Sequence, residues 1–278
     1  MPELPEVETM VRGLRPEIEG RRILDVEFCP CTRKPITVAP RGRMFRSRMA
    51  GRIVRRVQRL AKRVVLELDD QQSVVIEPRM TGLMLVSAPP TQEHRRLCWH
   101  LYKERGHCSS FEFWDRRGLG TVRLLRPAEM EILRASLGCD ALQMTVDQWV
   151  SQLRGTGRAI KVAMLDQTFV AGIGNLYASE ILHRAGVSPL KPAAKLRRPQ
   201  IERIAEETQA VLREAIRYEG STLSDGTYRN ALNKDGGYQN EHRVYAKAGE
   251  FCGQCCKGII KRIVQAQRAT FYCPRCQK

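Results

Sequence analysis

Hydrophobic residues near the N-terminus recur with the period of an α-helix. They fall at positions i, i+3, i+4 and i+7, as Val7, Met10, Val11 and Leu14. Pro5 suits the first turn of a helix, where no backbone N–H is needed, and the helix dipole favours the acidic Glu6 there. The pattern therefore predicts an amphipathic helix that leaves Pro2 and Glu3 just ahead of its first turn.

From about residue 22 to 126 the pattern changes to short β-strands separated by turn residues. The β-rich segments are 64–68, 74–76, 83–86, 97–102, 109–113 and 121–125. Closely spaced strands without intervening helices are typical of an antiparallel sandwich or barrel.

After Pro127 the pattern becomes helical. Thr145 is placed to cap a helix that runs to about Arg154, and Gly155 lies just past its end. A later helix has an apolar face over four turns, formed by Ile201, Ile204, Ala205, Thr208, Val211, Leu212, Ala215 and Ile216. The order of elements predicts an α+β chain with its strands first and its helices after them.

A glycine-rich turn, residues 172–175, precedes a predicted helix that runs to about Ala185 before Gly186. Glycines let the backbone approach a ligand closely, and free N–H groups at a helix start bind phosphate. We expect Asn175 to cap this helix. Residues 219–240 are rich in Gly, Ser, Asn and Asp and predict a long loop, a length that is more often functional or mobile than incidental.

The charge balance favours a polyanionic partner. The 278 residues contain 47 Lys and Arg against 30 Asp and Glu, a formal net charge of +17. Such an excess neutralises phosphates and releases counterions, so nucleic acid is the expected partner. No apolar run approaches the roughly 18 residues of a membrane span, and the start MPELPEVET does not resemble a secretory signal. We therefore expect no membrane partner and a cytosolic address.

Five of the ten cysteines crowd into the last 27 residues, and four of them have zinc-ligand spacing. The spacing is Cys252-x2-Cys255-x17-Cys273-x2-Cys276, which fits two knuckles closing on one tetrahedral Zn²⁺. Four thiolates leave no open position, so this zinc is expected to be structural. Cys256 is an alternative to Cys255, although two matching knuckles are the simpler geometry.

A second group of possible metal ligands lies in the strand region. Cys98 and His100 share one face of a predicted strand, but His107 and Cys108 lie across a turn. Ordinary strand packing is the favoured interpretation.

Residues 41–63 contain ten Arg or Lys and no acidic residue, a pattern interpreted chiefly as a solvated strand face. Lys62 differs because it leads into an apolar strand, where it can point into a cleft.

The N-terminus carries the unusual chemistry. Removal of the initiator methionine, expected when the second residue is small, leaves Pro2 with a free secondary amine. An α-amino group has a reference pKa near 8, about two units below lysine, so a useful fraction is unprotonated at neutral pH. Such an amine attacks a sugar C1′ to form an iminium directly. Glu3 and Glu6, held close by the helix start, are placed to serve as proton shuttle and electrostatic partner. The alternative is a helix that merely begins with proline and glutamates, and the residues of this segment alone favour it.

Three motifs together resemble the formamidopyrimidine-DNA glycosylase/endonuclease VIII family, in particular its formamidopyrimidine branch. They are MPELPEVET at the start, AGIGNLYASE at 171–180 and QRATFYCPRCQ at 267–277. The resemblance implies an antiparallel β-sandwich with an N-terminal helix at 1–130. It also implies a helix–two-turn–helix domain with a lesion-covering loop at 131–240 and a four-cysteine zinc finger at 241–278. Damaged double-stranded DNA would bind across the cleft between them.

The resemblance also implies roles for single residues. Pro2 is the Schiff-base nucleophile, Glu3 the general acid/base, Glu6 a second catalytic carboxylate and Lys62 the lysine of the catalytic cleft. The residues expected to contact DNA are Met80, Arg117, Leu119, Lys161, Asn175 and Arg268. Met80, Arg117 and Leu119 would fill the gap left by the flipped nucleotide.

Four departures from the family pattern stand out. Glu77-Pro78-Arg79 replaces a His-Leu-Gly stretch, so a carboxylate that repels DNA stands where the family has a phosphate-contacting histidine, unless Arg79 compensates. Gly118 replaces the second arginine of an Arg-Arg-Phe motif, and Leu119 its phenylalanine. Cys256 replaces a glycine that commonly follows the second zinc ligand.

The expected function is excision of oxidised purines, such as 8-oxoguanine and formamidopyrimidines, followed by β- and δ-elimination in base excision repair. The resemblance also implies a monomer in the bacterial cytosol or nucleoid. Two alternatives stay open: the same chemistry on oxidised pyrimidines, and a non-catalytic zinc-finger protein that binds DNA or structured RNA. The long loop at 219–240 favours purines, and the intact Pro2-Glu3 pair argues against a pure binder.

Overall fold

The computed structural model describes residues 2–102, 108–224 and 226–278, without the side chain of Cys108. The chain divides into two compact units. The first contains the residues up to Ala135 together with Ile216–Gln239, and the second contains Ser136–Ala215 and Asn240–Lys278. Within the described residues, none of the helices is long and apolar enough to cross a membrane.

The predicted N-terminal helix is confirmed as α1, Leu4–Ile18. Its four periodic apolar side chains are completely buried, and Glu3 is the N-cap residue. α1 contacts the strands of both sheets described below, which explains why one face of this short helix is wholly apolar.

The first unit contains two packed β-sheets. One has four antiparallel strands in the order β1-β7-β8-β6, where β1 is Arg22–Phe28, β6 Gly82–Leu85, β7 Arg95–Tyr102 and β8 Cys108–Asp115. The other has the order β2-β9-β5-β4-β3, where β2 is Thr37–Ala39, β3 Val54–Leu60, β4 Arg63–Leu68, β5 Ser73–Glu77 and β9 Thr121–Leu125. All its pairs are antiparallel except β2 with β9. Inward-facing residues of both sheets and of α1 form one core, so the predicted sandwich is confirmed.

The interpretation of residues 41–63 as mainly a strand face is wrong for its first part. Gly42–Met49 forms a helix, α2, ahead of β3. Phe45 and Met49, four residues apart, are buried in the sandwich core, while the arginines between them point outward. Arginine is a good helix former, and the apolar pair at helical spacing was the signal that the dense charge concealed.

The long loop at 219–240 is confirmed for the described residues, which exclude Asp225. A single 3-10 turn, Tyr238–Glu241, is its regular element there. The loop packs on the first unit, because Tyr228 joins the sandwich core and Gly13 of α1 accommodates Ala231. A Cβ at Gly13 would lie 2.5 Å from the Ala231 Cβ, so only glycine fits. A further helix of this unit, α3, spans Pro127–Ala135.

The second unit is mainly helical. Its helices are α4 Val146–Arg154, α5 Ile160–Met164, α6 Asn175–Arg184 and the residues up to Ala215 of α7, Arg198–Arg217, with a 3-10 turn at Ala193–Lys195. A parallel pair, β10 Cys139–Asp140 and β11 Val170–Ala171, lies beside them, and the chain ends in the antiparallel hairpin of β12 Lys261–Gln265 and β13 Arg268–Tyr272.

Of the two predicted helix caps, one is confirmed and one is wrong. The Thr145 hydroxyl accepts from the backbone N–H of Gln148 at 3.3 Å, while the Gln148 side chain accepts from the Thr145 N–H at 2.8 Å. At α6, by contrast, Gly174 is the N-cap and Asn175 is already helical. The Asn175 side chain is occupied by another part of the unit, as described below.

Candidate active site, nucleic-acid interface and zinc centre

The N-terminal segment is held by the carboxylate of Glu6. One of its oxygens accepts the backbone N–H of Glu3 at 2.9 Å, and the other accepts the N–H of Ser221 at 2.9 Å. Pro2, Glu3 and Glu6 are all buried. The three N-terminal residues expected to carry chemistry are thus brought together, and a loop more than 200 residues away in sequence is tied to the same carboxylate.

Gly220 allows this loop to approach the N-terminus. Its φ is +81°, and a Cβ there would lie 3.0 Å from the Glu6 Cγ. The Tyr228 hydroxyl donates to the carbonyl of Glu219 at 3.0 Å. Burial, together with the charge of Glu6, raises the pKa of Tyr228 well above its usual value, so the phenol stays neutral.

Lys62 lies in the two-residue turn between β3 and β4, next to Ala61, whose φ is +54°. Arg59 secures this turn by donating to the Ala61 carbonyl at 3.1 Å, and it also contacts the Glu8 carboxylate at 3.1 Å. Burial opposes ionisation of Glu8, but hydrogen bonds and charge from Arg12 and Arg59 hold its pKa below the usual value. The turn that presents Lys62 is therefore braced against α1.

Met80 and Arg117 lie in two loops that a buried aspartate joins. Asp115 is completely buried and accepts the hydroxyl of Thr81, the backbone N–H of Arg117 at 3.1 Å and that of Gly120 at 2.8 Å. The Thr81 hydroxyl also accepts from the Arg117 N–H at 3.0 Å. Met80 is 39 % exposed and Arg117 is exposed. The sequence singled out both exposed side chains but missed the aspartate that links them.

The departure at Gly118 has a steric cause. Its φ is +61°, and a Cβ there would lie 2.0 Å from the carbonyl oxygen of Lys34. Any side chain here would have to displace this backbone. The local conformation therefore requires glycine and leaves no room for the family's arginine. Leu119, the next residue, is partly exposed.

Glu77 is flanked by two arginines. Its carboxylate lies 3.7 Å from Arg63 Nη2 and 3.4 Å from Arg79 Nε. Arg79 therefore supplies the positive charge that offsets this carboxylate, and Arg63 supplies a second one.

In the second unit, Lys161 is completely buried behind Asn175. Its ammonium donates to the Asn175 Oδ1 at 2.6 Å, to the Thr270 hydroxyl at 2.8 Å and to the Ala269 carbonyl at 3.2 Å. The Asn175 amide donates to the same carbonyl at 2.9 Å. The first turn of α6 is thereby joined to β13 directly beside Arg268, whose side chain is exposed.

Glu180, also on α6, connects this helix to the segment that leads into the cysteine cluster. The carboxylate is fully buried and accepts three consecutive backbone N–H groups, from Arg243 at 2.8 Å, Val244 at 3.0 Å and Tyr245 at 2.8 Å. Burial raises its pKa, and these three hydrogen bonds act in the opposite direction. No periodicity in the sequence distinguishes this glutamate from a surface residue.

The four predicted zinc ligands converge. All their sulfur atoms lie within 4.8 Å of one another. The distances Cys252–Cys276 and Cys255–Cys273 are 3.7 and 3.8 Å. Four sulfurs at 2.3 Å from a tetrahedral zinc lie about 3.8 Å apart, so the donor set fits one structural Zn²⁺.

Cys255, not Cys256, belongs to this set. Backbone N–H groups of Lys257 and Gly258 lower the pKa of Cys255 to about 6, which favours the thiolate a metal requires. Cys256 is exposed, and its sulfur points to the carbonyl of Gly253 at 3.5 Å.

Comparison with known protein families covers most of the chain. The formamidopyrimidine-DNA glycosylase N-terminal domain matches residues 1–122, its H2TH (helix–two-turn–helix) domain residues 137–227, and a zinc finger found in FPG and IleRS residues 249–278. The chain belongs to the formamidopyrimidine-DNA glycosylase family.

Individual relatives are similar to this chain over almost their whole length. The formamidopyrimidine-DNA glycosylase of Chloroflexus aurantiacus is 38% identical over 100% of this chain and 98% of its own, and that of Paracoccus denitrificans is 36% identical over 100% of both. The crystal structure of MutM (Fpg) from Thermus thermophilus has a TM-score of 0.85 at 34% identity and covers 99% of this chain and 98% of its own. The Lactococcus lactis Fpg in complex with DNA containing an abasic site has a TM-score of 0.86 at 29% identity and covers 99% of both.

Proposed function

We propose that this protein is a bifunctional DNA glycosylase and AP lyase that excises oxidised purines from duplex DNA in base excision repair. The observation that carries the proposal is the arrangement of Pro2, Glu3 and Glu6, a buried imino acid followed by two buried carboxylates at the start of α1. The motif that contains them, MPELPEVET, resembles the start of the family to which the chain belongs.

The reaction begins once Met1 has been removed and the Pro2 nitrogen is a secondary amine. This nitrogen attacks C1′ of the damaged nucleotide, the C1′–base bond breaks, and the base leaves with a proton. The sugar ring opens, and C1′ is then joined to Pro2 as an iminium. Loss of a proton from C2′ expels the 3′ phosphate, and a second elimination expels the 5′ phosphate. Water finally releases the sugar fragment and regenerates the amine.

Glu3 is the residue that moves protons in these steps, since it directly follows the nucleophile. Glu6 accepts two backbone N–H groups, so we assign it the role of holding Pro2, Glu3 and the loop at Ser221 in place. Lys62, presented by its braced turn, contacts phosphate and favours elimination.

The DNA contacts divide between the two units. Met80, Arg117 and Leu119 fill the space left by the flipped nucleotide, and the apolar wedge offsets an unstacking cost of a few kcal/mol. Asn175 and Arg268 hold phosphates. Lys161 acts through Asn175, because it is buried and its ammonium orients the Asn175 amide.

We assign the functional domains as the β-sandwich at 1–130, the helix–two-turn–helix domain at 131–240 and the zinc finger at 241–278. The loop at 219–240 covers the lesion. It is assigned functionally to the helix–two-turn–helix domain, although most of it belongs to the first compact unit. We also propose a location in the bacterial cytosol or nucleoid, which the DNA substrate and the bacterial sources of the relatives support.

The test is borohydride trapping on an 8-oxoguanine·cytosine duplex, an abasic duplex and a thymine glycol duplex. The Pro2→Gly variant is the comparison, and mass spectrometry establishes that Met1 is absent from both proteins. Glycine replaces the secondary amine with a primary one, which forms a neutral imine that must be protonated before elimination. We expect a covalent complex with the 8-oxoguanine and abasic duplexes, and a severe loss of trapping and cleavage in Pro2→Gly with duplex binding retained.

Normal strand cleavage by Pro2→Gly would contradict the mechanism. Trapping with thymine glycol in preference to 8-oxoguanine would move the substrate to oxidised pyrimidines. Tight binding without trapping on any duplex would identify a DNA-binding protein without catalysis.

A further inference from the structure

The solvent-facing side of the four-stranded sheet carries three metal-binding side chains of different chemistry. Glu27 on β1 pairs directly with Cys98 on β7, and His100 lies two residues further along β7. Alternation along a strand places all three on one face, whereas Trp99 between them is completely buried in the sandwich core. The sequence placed Cys98 and His100 on one strand face but favoured ordinary packing there, and His107 and the Cys108 side chain lie outside the described residues. The strand pairing adds a carboxylate from a residue about 70 positions away.

The donor atoms of the three side chains all lie within 4.8 Å of one another. The His100 Nε2 to Glu27 Oε2 distance is 3.4 Å. Two ligands at 2.0–2.1 Å from a tetrahedral metal lie about 3.3 Å apart, so this distance fits a shared ion as well as a hydrogen bond.

The site is closed on one side and open on the other. Cys98 is 1 % exposed, whereas the side chains of Glu27 and His100 are 46 and 41 % exposed. Both exposed residues line the same surface cleft. An ion that enters this cleft from solvent meets Glu27 and His100 first, with the Cys98 sulfur within 4.8 Å of their donor atoms, and keeps a position for water or a fourth ligand.

The surrounding charges leave Glu27 available. Two further carboxylates lie on the solvent-facing side of this sheet, and each forms an ion pair with its own arginine, Asp25 with Arg46 and Glu112 with Arg95. Among the described residues, Glu27 instead contacts His100, an imidazole that forms an ion pair with it only when protonated. An exposed contact of this kind contributes little to stability, so the cluster is poorly explained by stability alone.

We propose that Glu27, Cys98 and His100 form a second metal site, separate from the finger, that binds a divalent ion of the zinc class. Thiolate, imidazole and carboxylate together suit Zn²⁺ and Co²⁺, and the thiol excludes Mg²⁺ and Ca²⁺ as preferred ions. Binding replaces the Cys98 proton with the metal.

The experiment adds Co²⁺ to the full-length protein whose finger is already loaded with one zinc per chain. Visible absorption detects tetrahedral cobalt, a sulfur-to-cobalt charge-transfer band detects thiolate ligation, and elemental analysis confirms that the finger zinc stays bound. We expect one cobalt per chain. Cys98→Ser abolishes the charge-transfer band, and Cys98→Ser and Glu27→Gln each weaken binding at least about tenfold, since even outer-shell changes at metal sites cost roughly 10- to 100-fold.

Cys139→Ser is the matched control, because the contacts of this partly exposed thiol are a backbone carbonyl and the Gln148 side chain. It should bind cobalt like the wild type. No cobalt uptake by the wild type, or equal affinity in Glu27→Gln, would overturn the proposal. Glu27→Gln decides if Cys98→Ser fails to fold, because the Glu27 side chain is about half exposed and glutamine has nearly the same size.

Discussion

Gly118 illustrates how one residue can replace a family feature through backbone geometry. Two separate constraints act on it, a left-handed backbone conformation and the nearby carbonyl of Lys34. Gly20 shares the first constraint, with a φ of +76°, but has open space around its Cα. Alanine substitutions at Gly20 and Gly118 therefore distinguish the cost of conformational strain alone from the cost of strain combined with steric overlap.

We predict that Gly118→Ala lowers the free energy of unfolding by about 2–4 kcal/mol, since strain of ~1 kcal/mol is joined by displacement of the Lys34 backbone. Gly20→Ala should cost only about 1 kcal/mol, from strain alone. Urea denaturation of both variants measures the difference. Equal costs for the two variants would mean that the loop around Gly118 relaxes freely.

Helix α6 carries three side chains that contact other parts of the second unit. Its first residue, Asn175, is oriented by Lys161, and Glu180 on the same helix holds the backbone that leads into the zinc finger. His183 on its last turn lies 3.3 Å from the sulfur of Cys252, and burial lowers the pKa of this histidine to about 4.

We predict that Glu180→Gln destabilises the second unit by about 2–4 kcal/mol, because an amide offers one acceptor where three buried N–H groups need partners. The finger should then lose zinc to a chelator faster than in the wild type. Chelator competition followed by absorbance measures this rate. Glu206→Gln on the exposed face of α7 is the control and should leave both properties unchanged. Unaltered zinc release in Glu180→Gln would contradict the proposed link between α6 and the finger.

At the scale of the whole molecule, the net charge of +17 favours DNA binding through phosphate contacts, which makes the binding sensitive to salt. The logarithm of the binding constant should fall linearly with that of the salt concentration, with a slope of about −0.9 per neutralised phosphate. Arg268→Ala should reduce the magnitude of this slope by about 1. Met80→Ala should leave the slope unchanged and reduce the preference for damaged over undamaged duplex, since its side chain carries no charge.

Fluorescence anisotropy over a salt series tests this prediction. An Arg268→Ala slope equal to the wild-type slope would remove Arg268 from the phosphate contacts.

Features that depend on neighbours in sequence were predictable. The apolar spacing of α1, the Thr145 cap and the cysteine knuckles each involve residues within about one helical turn or one tight loop, where local geometry leaves few alternatives. Helix α2 was missed because only Phe45 and Met49 mark its buried face within a run of arginines.

The sequence by itself determined the class of fold, the family, the zinc ligands and the residues expected to carry chemistry. Tertiary structure alone decided which groups hold them in place: Asp115 between the Met80 and Arg117 loops, Lys161 behind Asn175 and Glu27 opposite Cys98. Each of these pairings joins buried or paired polar groups from separate elements. Local pattern reveals that a residue is polar or periodic, but a polar group becomes buried only where distant strands and helices supply its hydrogen-bond partner.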